Sequence, residues 1–219
     1  MKPLLAFGGT FDPIHAGHLA VARAVRDAFG AEVRLLPAAD PPHRPPPGAS
    51  AEARADMVAL AIAGEPGLVL DRRELERPGP SWTVDSLAGL RAERGPLAPL
   101  AWVLGADAFR GLPAWHQWTR LLHLAHLVVV TRPGHPLEPL PEALAAAVAG
   151  RWAEQPADLA RAPAGRLYRL PLAPHPASAS ELRRRLAAGV ETGDWLPPAV
   201  LSYILRHGLY RPPAAGPGV

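Results

Sequence analysis

Leu4-Leu5-Ala6-Phe7-Gly8-Gly9-Thr10-Phe11-Asp12-Pro13-Ile14-His15-Ala16-Gly17-His18 decides the reading of this chain. Four apolar residues run into a glycine pair, and a helical pattern follows from Leu19 to Phe29. A buried strand ending on glycines has no Cβ there to hold a polyanion away from its backbone, and a following helix start offers free N–H groups. The stretch therefore reads as a nucleotide phosphate cradle, with Gly8, Gly9, Thr10 and Phe11 against the phosphates and His18 opening the helix. His15 and His18 stand three apart, and Gly17 keeps the chain thin between them. Both imidazoles can then serve as donors to one phosphoryl group. The plain alternative is a turn followed by a capped helix.

Apolar runs alternate with helical patterns along the rest of the chain, which predicts parallel strands joined by crossover helices. Strands are expected at 4–7, 32–36, 68–70, 100–104, 127–131 and 167–170. Helices are expected at 19–28, 51–63, 84–94, 115–122, 142–149, 181–188 and 199–206. The fold class is thus α/β, a Rossmann-like doubly wound parallel sheet with a small C-terminal helical subdomain. The expected division is a core at 1–175, the helical subdomain at 176–211 and a tail at 212–219. Residues 37–47 hold six prolines and predict a stiff loop at the carboxyl edge of the sheet, where open α/β sheets bind ligands. Residues 133–163 read as a surface excursion carrying one short Ala-rich helix.

The chain has 219 residues, 48% of them hydrophobic, enough for one domain with a sizeable core. It lacks cysteine, which excludes disulfides and thiolate metal sites. No secretory leader is legible at the N-terminus, so a cytoplasmic location is expected. The formal charge is only +3, and no basic block is interleaved with aromatics, which argues against a nucleic-acid partner. No membrane partner is expected either, and the oligomeric state is left open.

A second constellation is Pro176-Ala177-Ser178-Ala179-Ser180-Glu181-Leu182-Arg183. Ser178 and Glu181 have capping-box spacing. A capped helix start also presents N–H groups to an anion, and Arg183, one turn in, adds a formal charge. Gly105 and Asp107 follow a strand, where a close-approach glycine and an acceptor suit a ribose. His43, Arg44 and Arg132 are donors on different loops, a clamp for a second phosphate. His123 and His126 read as structural.

The cradle with its His-x-Gly-His resembles the signature of the HxGH nucleotidyltransferase superfamily, and residues 177–183 resemble its ISSTxIR segment, with Ala177 and Ala179 replacing Ile and Ser. Further matches run in order: Leu36-Pro37, Pro41-Pro42-His43-Arg44, Gly79-Pro80-Ser81-Trp82-Thr83-Val84-Asp85-Ser86-Leu87, Leu104-Gly105-Ala106-Asp107, Leu112-Pro113-Ala114-Trp115, Thr131-Arg132-Pro133-Gly134 and Leu209-Tyr210. Together they resemble the bacterial nicotinate-nucleotide adenylyltransferase family over nearly the whole chain. The resemblance implies adenylyl transfer from ATP to nicotinate mononucleotide, with His15, His18 and Arg183 catalytic and Ser178 and Ser180 on ATP. It makes Thr83 a nicotinate contact, Trp115 the stacking platform and the His116 backbone N–H a carboxylate donor. Mg²⁺ is expected to be carried mainly by the ATP phosphates, with no protein metal cluster. The alternatives are another adenylyltransferase of the superfamily, accepting nicotinamide mononucleotide or phosphopantetheine, and a nucleotide-sensing module without chemistry.

Overall fold

The computed structural model describes residues 1–41, 46–131, 133 and 136–211. Six strands form one all-parallel sheet: β1 (Leu4–Gly9), β2 (Val33–Pro37), β3 (Leu68–Leu70), β4 (Leu100–Gly105), β5 (His126–Thr131) and β6 (Leu167–Pro171). Their spatial order is β3-β2-β1-β4-β5-β6. The two halves wind outward from the β1/β4 pair, where Leu4 to Phe7 lie beside Leu100 to Val103. This reversal opens a crevice at the carboxyl ends of β1 and β4.

The strands read as nearly unbroken apolar runs because both faces are buried. Leu5, Phe7, Val33, Leu35, Ala101, Val103 and Val128 point into one core. Leu4, Ala6, Leu36, Leu100, Trp102, Leu104, Leu127 and Val129 point into the other. The first core is covered by α1 (Ala16–Phe29) through Leu19, Ala22, Val25 and Phe29, and by α2 (Ala51–Ile62) through Met57, Val58, Ala61 and Ile62. The second is covered by α3 (Thr83–Arg94), α4 (Ala106–Arg110), α5 (Trp118–Leu124) and α6 (Glu142–Val148). Finally α7 (Ala179–Ala187) and α8 (Pro198–Arg206) bury Leu182, Val200 and Ile204 in the first core, together with α1 and α2. No helix among the described residues is long and apolar enough to cross a membrane.

Several local expectations are corrected. The first helix starts at Ala16, so His15 rather than His18 stands at its N-terminal boundary. Trp115 is not helical; it closes a 3-10 turn at Leu112–Ala114, and the helix begins only at Trp118, after Gln117 in the left-handed region. The five-residue α4 had no sequence counterpart. The 133–163 segment is packed as well as exposed: Leu137, Leu144, Val148 and Leu159 are all buried, because the excursion closes the edge of the sheet over β5 and β6.

Candidate active site

A cleft of about 1440 Å³ opens at the carboxyl edge of the sheet. It brings together Gly8, Gly9, Thr10, Phe11, His15 and His18 from the β1–α1 turn, Gly105 and Asp107 after β4, and Ser180 and Arg183 on α7. Thr83, Trp115 and His116 line the same cleft. Ser178 does not: its exposed hydroxyl caps α7, accepting from the Glu181 N–H at 3.3 Å. Only half of the capping box forms, because the Glu181 carboxylate pairs with Arg184 at 2.7 Å and Arg185 at 3.0 Å. His43, Arg44 and Arg132 lie outside the described residues.

The cradle is shaped by what a side chain would strike. A Cβ on Gly8 would come within 2.2 Å of Trp102 Cζ2, a ring buried beneath the turn, and one on Gly9 within 2.9 Å of the Phe11 ring. Only glycine permits this path. Gly17 serves the same end on α1, where a Cβ would lie 3.1 Å from the His15 ring and 3.4 Å from the Ala177 carbonyl.

The two imidazoles stack, with centroids 3.8 Å apart and planes inclined by 29°. Phe11 meets His18 edge-on at 5.1 Å. His15 Nδ1 accepts the Gly17 N–H at 3.1 Å, the side-chain cap of α1. That bond places the ring proton on Nε2, making His15 a neutral donor. Burial, with a smaller contribution from nearby His175, pushes the His15 pKa down to about 4. The stack therefore does not hold two adjacent cations at neutral pH.

A stability effect follows. Between pH 4 and the ordinary 6.5, the unfolded chain holds more protons on this group than the folded one does. The contribution is complete above about 6.5 and fades as pH falls towards 4. His15→Asn retains a capping side chain but loses the Nε2–H donor. Urea melts should show wild-type stability falling from pH 7 to 4.5 more steeply than that of the variant, and parallel curves would contradict the burial argument. Turnover of His15→Asn should fall roughly 10²-fold, with a share of the loss in ATP affinity.

Four residues carry the frame of the site without having stood out in the sequence. Asp12, 6% exposed, accepts the Gly48 and Ala49 N–H groups at 2.7 and 3.2 Å and the Tyr210 hydroxyl at 2.7 Å. Arg54, fully buried, donates to the carbonyls of Thr10, Ala38, Ala39 and Ala49. Trp102 floors the cradle. Glu74 lines the cleft near Thr83 and accepts the Ser86 hydroxyl at 2.6 Å, and burial pushes its carboxyl above the usual range. Asp12 sits inside the quoted stretch, yet nothing local marks its partners. Arg54 reads in sequence as one more helix-surface charge.

On the acceptor side, Ser81 does not cap α3. Its hydroxyl accepts the Ala39 and Asp40 N–H groups at 2.9 and 3.2 Å, tying the β2 loop to the α3 approach. Trp82 occupies the N-cap without a side-chain cap bond, and Thr83, the first residue of α3, lines the cleft, so the start of this helix lies at the cleft wall. The Trp82 and His116 rings lie 4.7 Å apart. Asp107 is 93% exposed and ion-paired with Arg110 at 3.2 Å. His126 is structural, bonded to Ala162 O at 2.8 Å and accepting the Arg166 N–H at 3.0 Å, while His123 is exposed.

A doubly wound sheet whose switch point holds a glycine cradle and paired imidazoles defines a nucleotidyltransferase, and the chain belongs to the cytidylyltransferase-like family, matched over residues 6–185. Within that family its relatives are nicotinate-nucleotide adenylyltransferases. A Stenotrophomonas maltophilia protein named "Probable nicotinate-nucleotide adenylyltransferase" is 54% identical, with 97% of this chain and 99% of that one aligned. An Aeromonas hydrophila protein of the same name is 50% identical over 96% and 98% of the two chains. The Plasmodium falciparum nicotinic acid mononucleotide adenylyltransferase complexed with NaAD shares the fold, with a TM-score of 0.70 at 18% identity over 96% of this chain and 98% of that one.

Proposed function

We propose that this protein transfers the adenylyl group of ATP to nicotinate mononucleotide, giving deamido-NAD and pyrophosphate in NAD biosynthesis. The observation that carries the reading is the single cleft joining the His15–His18 stack to Thr83, Trp115 and His116. An acceptor phosphate oxygen attacks the α phosphorus, and the bond from that phosphorus to the bridging oxygen of pyrophosphate breaks. A phosphate monoester has its second pKa near ~6, so the acceptor arrives as a dianion and no general base is required.

Catalysis then rests on alignment and on donors placed where charge grows. His18 meets the α-phosphoryl oxygens. His15, neutral with its proton on Nε2, donates towards the bridging and leaving oxygens. Arg183 and the α7 N-terminus near Ser180 take the pyrophosphate side, and Gly105 and Asp107 the ribose. His43, Arg44 and Arg132 complete the reading as the clamp on the mononucleotide phosphate.

Mg²⁺ enters as part of the MgATP substrate. Asp12, a carboxylate in the cleft wall, has both oxygens engaged by protein donors, and no group of three or more His, Asp or Glu among the described residues is arranged to hold a metal. The metal's fit is therefore to the phosphates, where it would offset their charge.

Acceptor choice follows from the α3 N-terminus. Its uncapped N–H groups suit a carboxylate, whereas a carboxamide turns its own N–H₂ against them or rotates its weaker acceptor inward. Nicotinate mononucleotide should be preferred over nicotinamide mononucleotide by about 5- to 150-fold in kcat/KM, the equivalent of one unpaired buried group. Competition assays following pyrophosphate release check this. Trp115→Ala should weaken both acceptors alike and leave the ratio nearly unchanged. Equal use of the two acceptors by the wild type would overturn the nicotinate assignment and leave adenylyl transfer standing.

A further inference from the structure

The last described residues of the chain reach back to its first loop. Tyr210, with φ of 61°, donates its hydroxyl to Asp12 Oδ1 at 2.7 Å, 198 positions away in sequence. Burial, and then the Asp12 carboxylate, raise the phenol pKa, so the hydroxyl stays a donor. A Cβ on Gly48 would approach the Tyr210 ring to 3.0 Å and Arg183 Cδ to 3.5 Å. That glycine lets the ring, the 48–49 turn and the arginine pack in one layer. Asp12 and Arg183 line the cleft; Tyr210 stands behind them.

Arg183 uses Nη1 to donate to the Asp12 main-chain carbonyl at 2.7 Å, and the same nitrogen makes a long ion pair with Asp12 Oδ2 at 3.6 Å. Among the described residues, Nε and Nη2 make no hydrogen bond to protein. The pair is too long for a hydrogen bond, although a buried anion draws in any cation able to reach it. Asp12 does not need Arg183 as a direct partner, since two amides and the Tyr210 hydroxyl already satisfy it. Arg54, the other nearby cation, is fixed to four carbonyls and cannot shift. Arg183 can, with a side chain 36% exposed.

We propose that Tyr210 is a positioning residue for ATP: its hydroxyl satisfies Asp12 Oδ1, so that Arg183 engages Asp12 through Nη1 alone and keeps its Nε and Nη2 N–H groups for the polyphosphate. The inference rests on the reading of Arg183 as a phosphate ligand. Removing the hydroxyl takes one charge-assisted bond from Asp12 Oδ1, and the half-exposed guanidinium, already ion-paired with Oδ2, turns a second N–H onto the carboxylate to replace it.

Tyr210→Phe keeps the ring packing and deletes only the hydroxyl. The KM for ATP and the calorimetric ATP affinity should weaken roughly 5- to 10-fold, with kcat and the acceptor KM within about twofold, since the change acts on ground-state ATP binding. In an Arg183→Ala background the same substitution should add less than about 1.5-fold, because its effect travels through Arg183. A loss purely of fold would appear in both backgrounds and in the acceptor KM. If Arg183→Ala weakens ATP but Tyr210→Phe does not, or if Tyr210→Phe costs the same in both backgrounds, the positioning role is overturned while Arg183 keeps its place. Unchanged ATP affinity in Arg183→Ala removes the phosphate reading of Arg183, and the role of Tyr210 with it.

Discussion

His18→Ala is expected to lower kcat by about 10²- to 10³-fold, roughly 2.7–4 kcal/mol, the loss seen when a preorganised donor to a developing anion is removed. Its ATP affinity should change far less. The structure explains the asymmetry. His18 is braced between the His15 ring at 3.8 Å and the Phe11 edge at 5.1 Å, so its ring is held before substrate arrives. A donor fixed in advance gives most where charge grows most, on the α-phosphoryl oxygens in the transition state. Removing an interaction made chiefly there lowers kcat and kcat/KM together. Steady-state kinetics paired with calorimetry of ATP binding separate the two effects. A His18→Ala enzyme within twofold of wild type would make the stack a packing device and require another catalytic group. The ring also supports its neighbour, so His18→Phe is the useful second variant. It keeps an aromatic partner for His15 and should lose turnover to a similar degree.

The same two histidines show what was legible in the sequence. Their spacing, and the glycines before them, predict that these residues gather at one turn, and they do, because such a turn is a local object built from about fifteen consecutive residues. The sheet was legible for a related reason: parallel strands buried on both faces carry continuous apolar runs, and all six appear within two residues of expectation. Short pieces were not legible. Helix α4, Ala106–Arg110, is too brief to show a period, and so is the 3-10 turn at Leu112–Ala114 that displaces Trp115 from its expected helix.

The frame of the site was hidden for a different reason. Asp12, Glu74 and Tyr210 take their meaning from partners far away in sequence: Asp12 from Gly48 and Tyr210, Glu74 from Ser86, Tyr210 from the first loop. Ser178 shows the limit of the motif from the other side. Its spacing to Glu181 predicts the helix cap that its hydroxyl makes, while its motif position says nothing of which way that hydroxyl turns. A motif fixes which residues gather at a site more reliably than which atom each one turns inward.

Arg54→Ala is the variant expected to cost most in stability and to carry activity with it. The guanidinium is fully buried on α2 and reaches Thr10 O at 2.7 Å, Ala38 O at 2.6 Å, Ala39 O at 3.1 Å and Ala49 O at 3.2 Å. It joins the cradle turn, the loop leaving β2 and the turn entering α2, just beyond the end of the β1–β2 ladder, whose last bond is the Ala38 N–H to Gly9 O at 2.9 Å. Burial lowers the Arg54 pKa, opposed by Asp12 and Tyr210, so this cation and the Asp12 carboxylate lean on each other electrostatically. Truncation leaves four carbonyls without a donor and Asp12 with Arg183 as its remaining neighbouring cation. Each buried orphan costs about 1–3 kcal/mol before water enters, and water from the adjacent cleft can recover part of that loss. The net destabilisation should be about 3 kcal/mol, comparable to breaking a buried charge pair, and Tm should fall by about 6–12 °C. At a temperature where the variant remains folded, kcat/KM should still drop roughly 10²-fold, because Thr10 and Ala38 line the cleft and a misplacement of about 1 Å is enough for that loss. Arg54→Lys should recover charge but not the four-way fork, and so restore stability more than turnover. Differential scanning calorimetry and kinetics on the two variants decide it. A Tm within about 2 °C of wild type for Arg54→Ala, with unchanged kinetics, would mean that the three segments hold their places without the arginine.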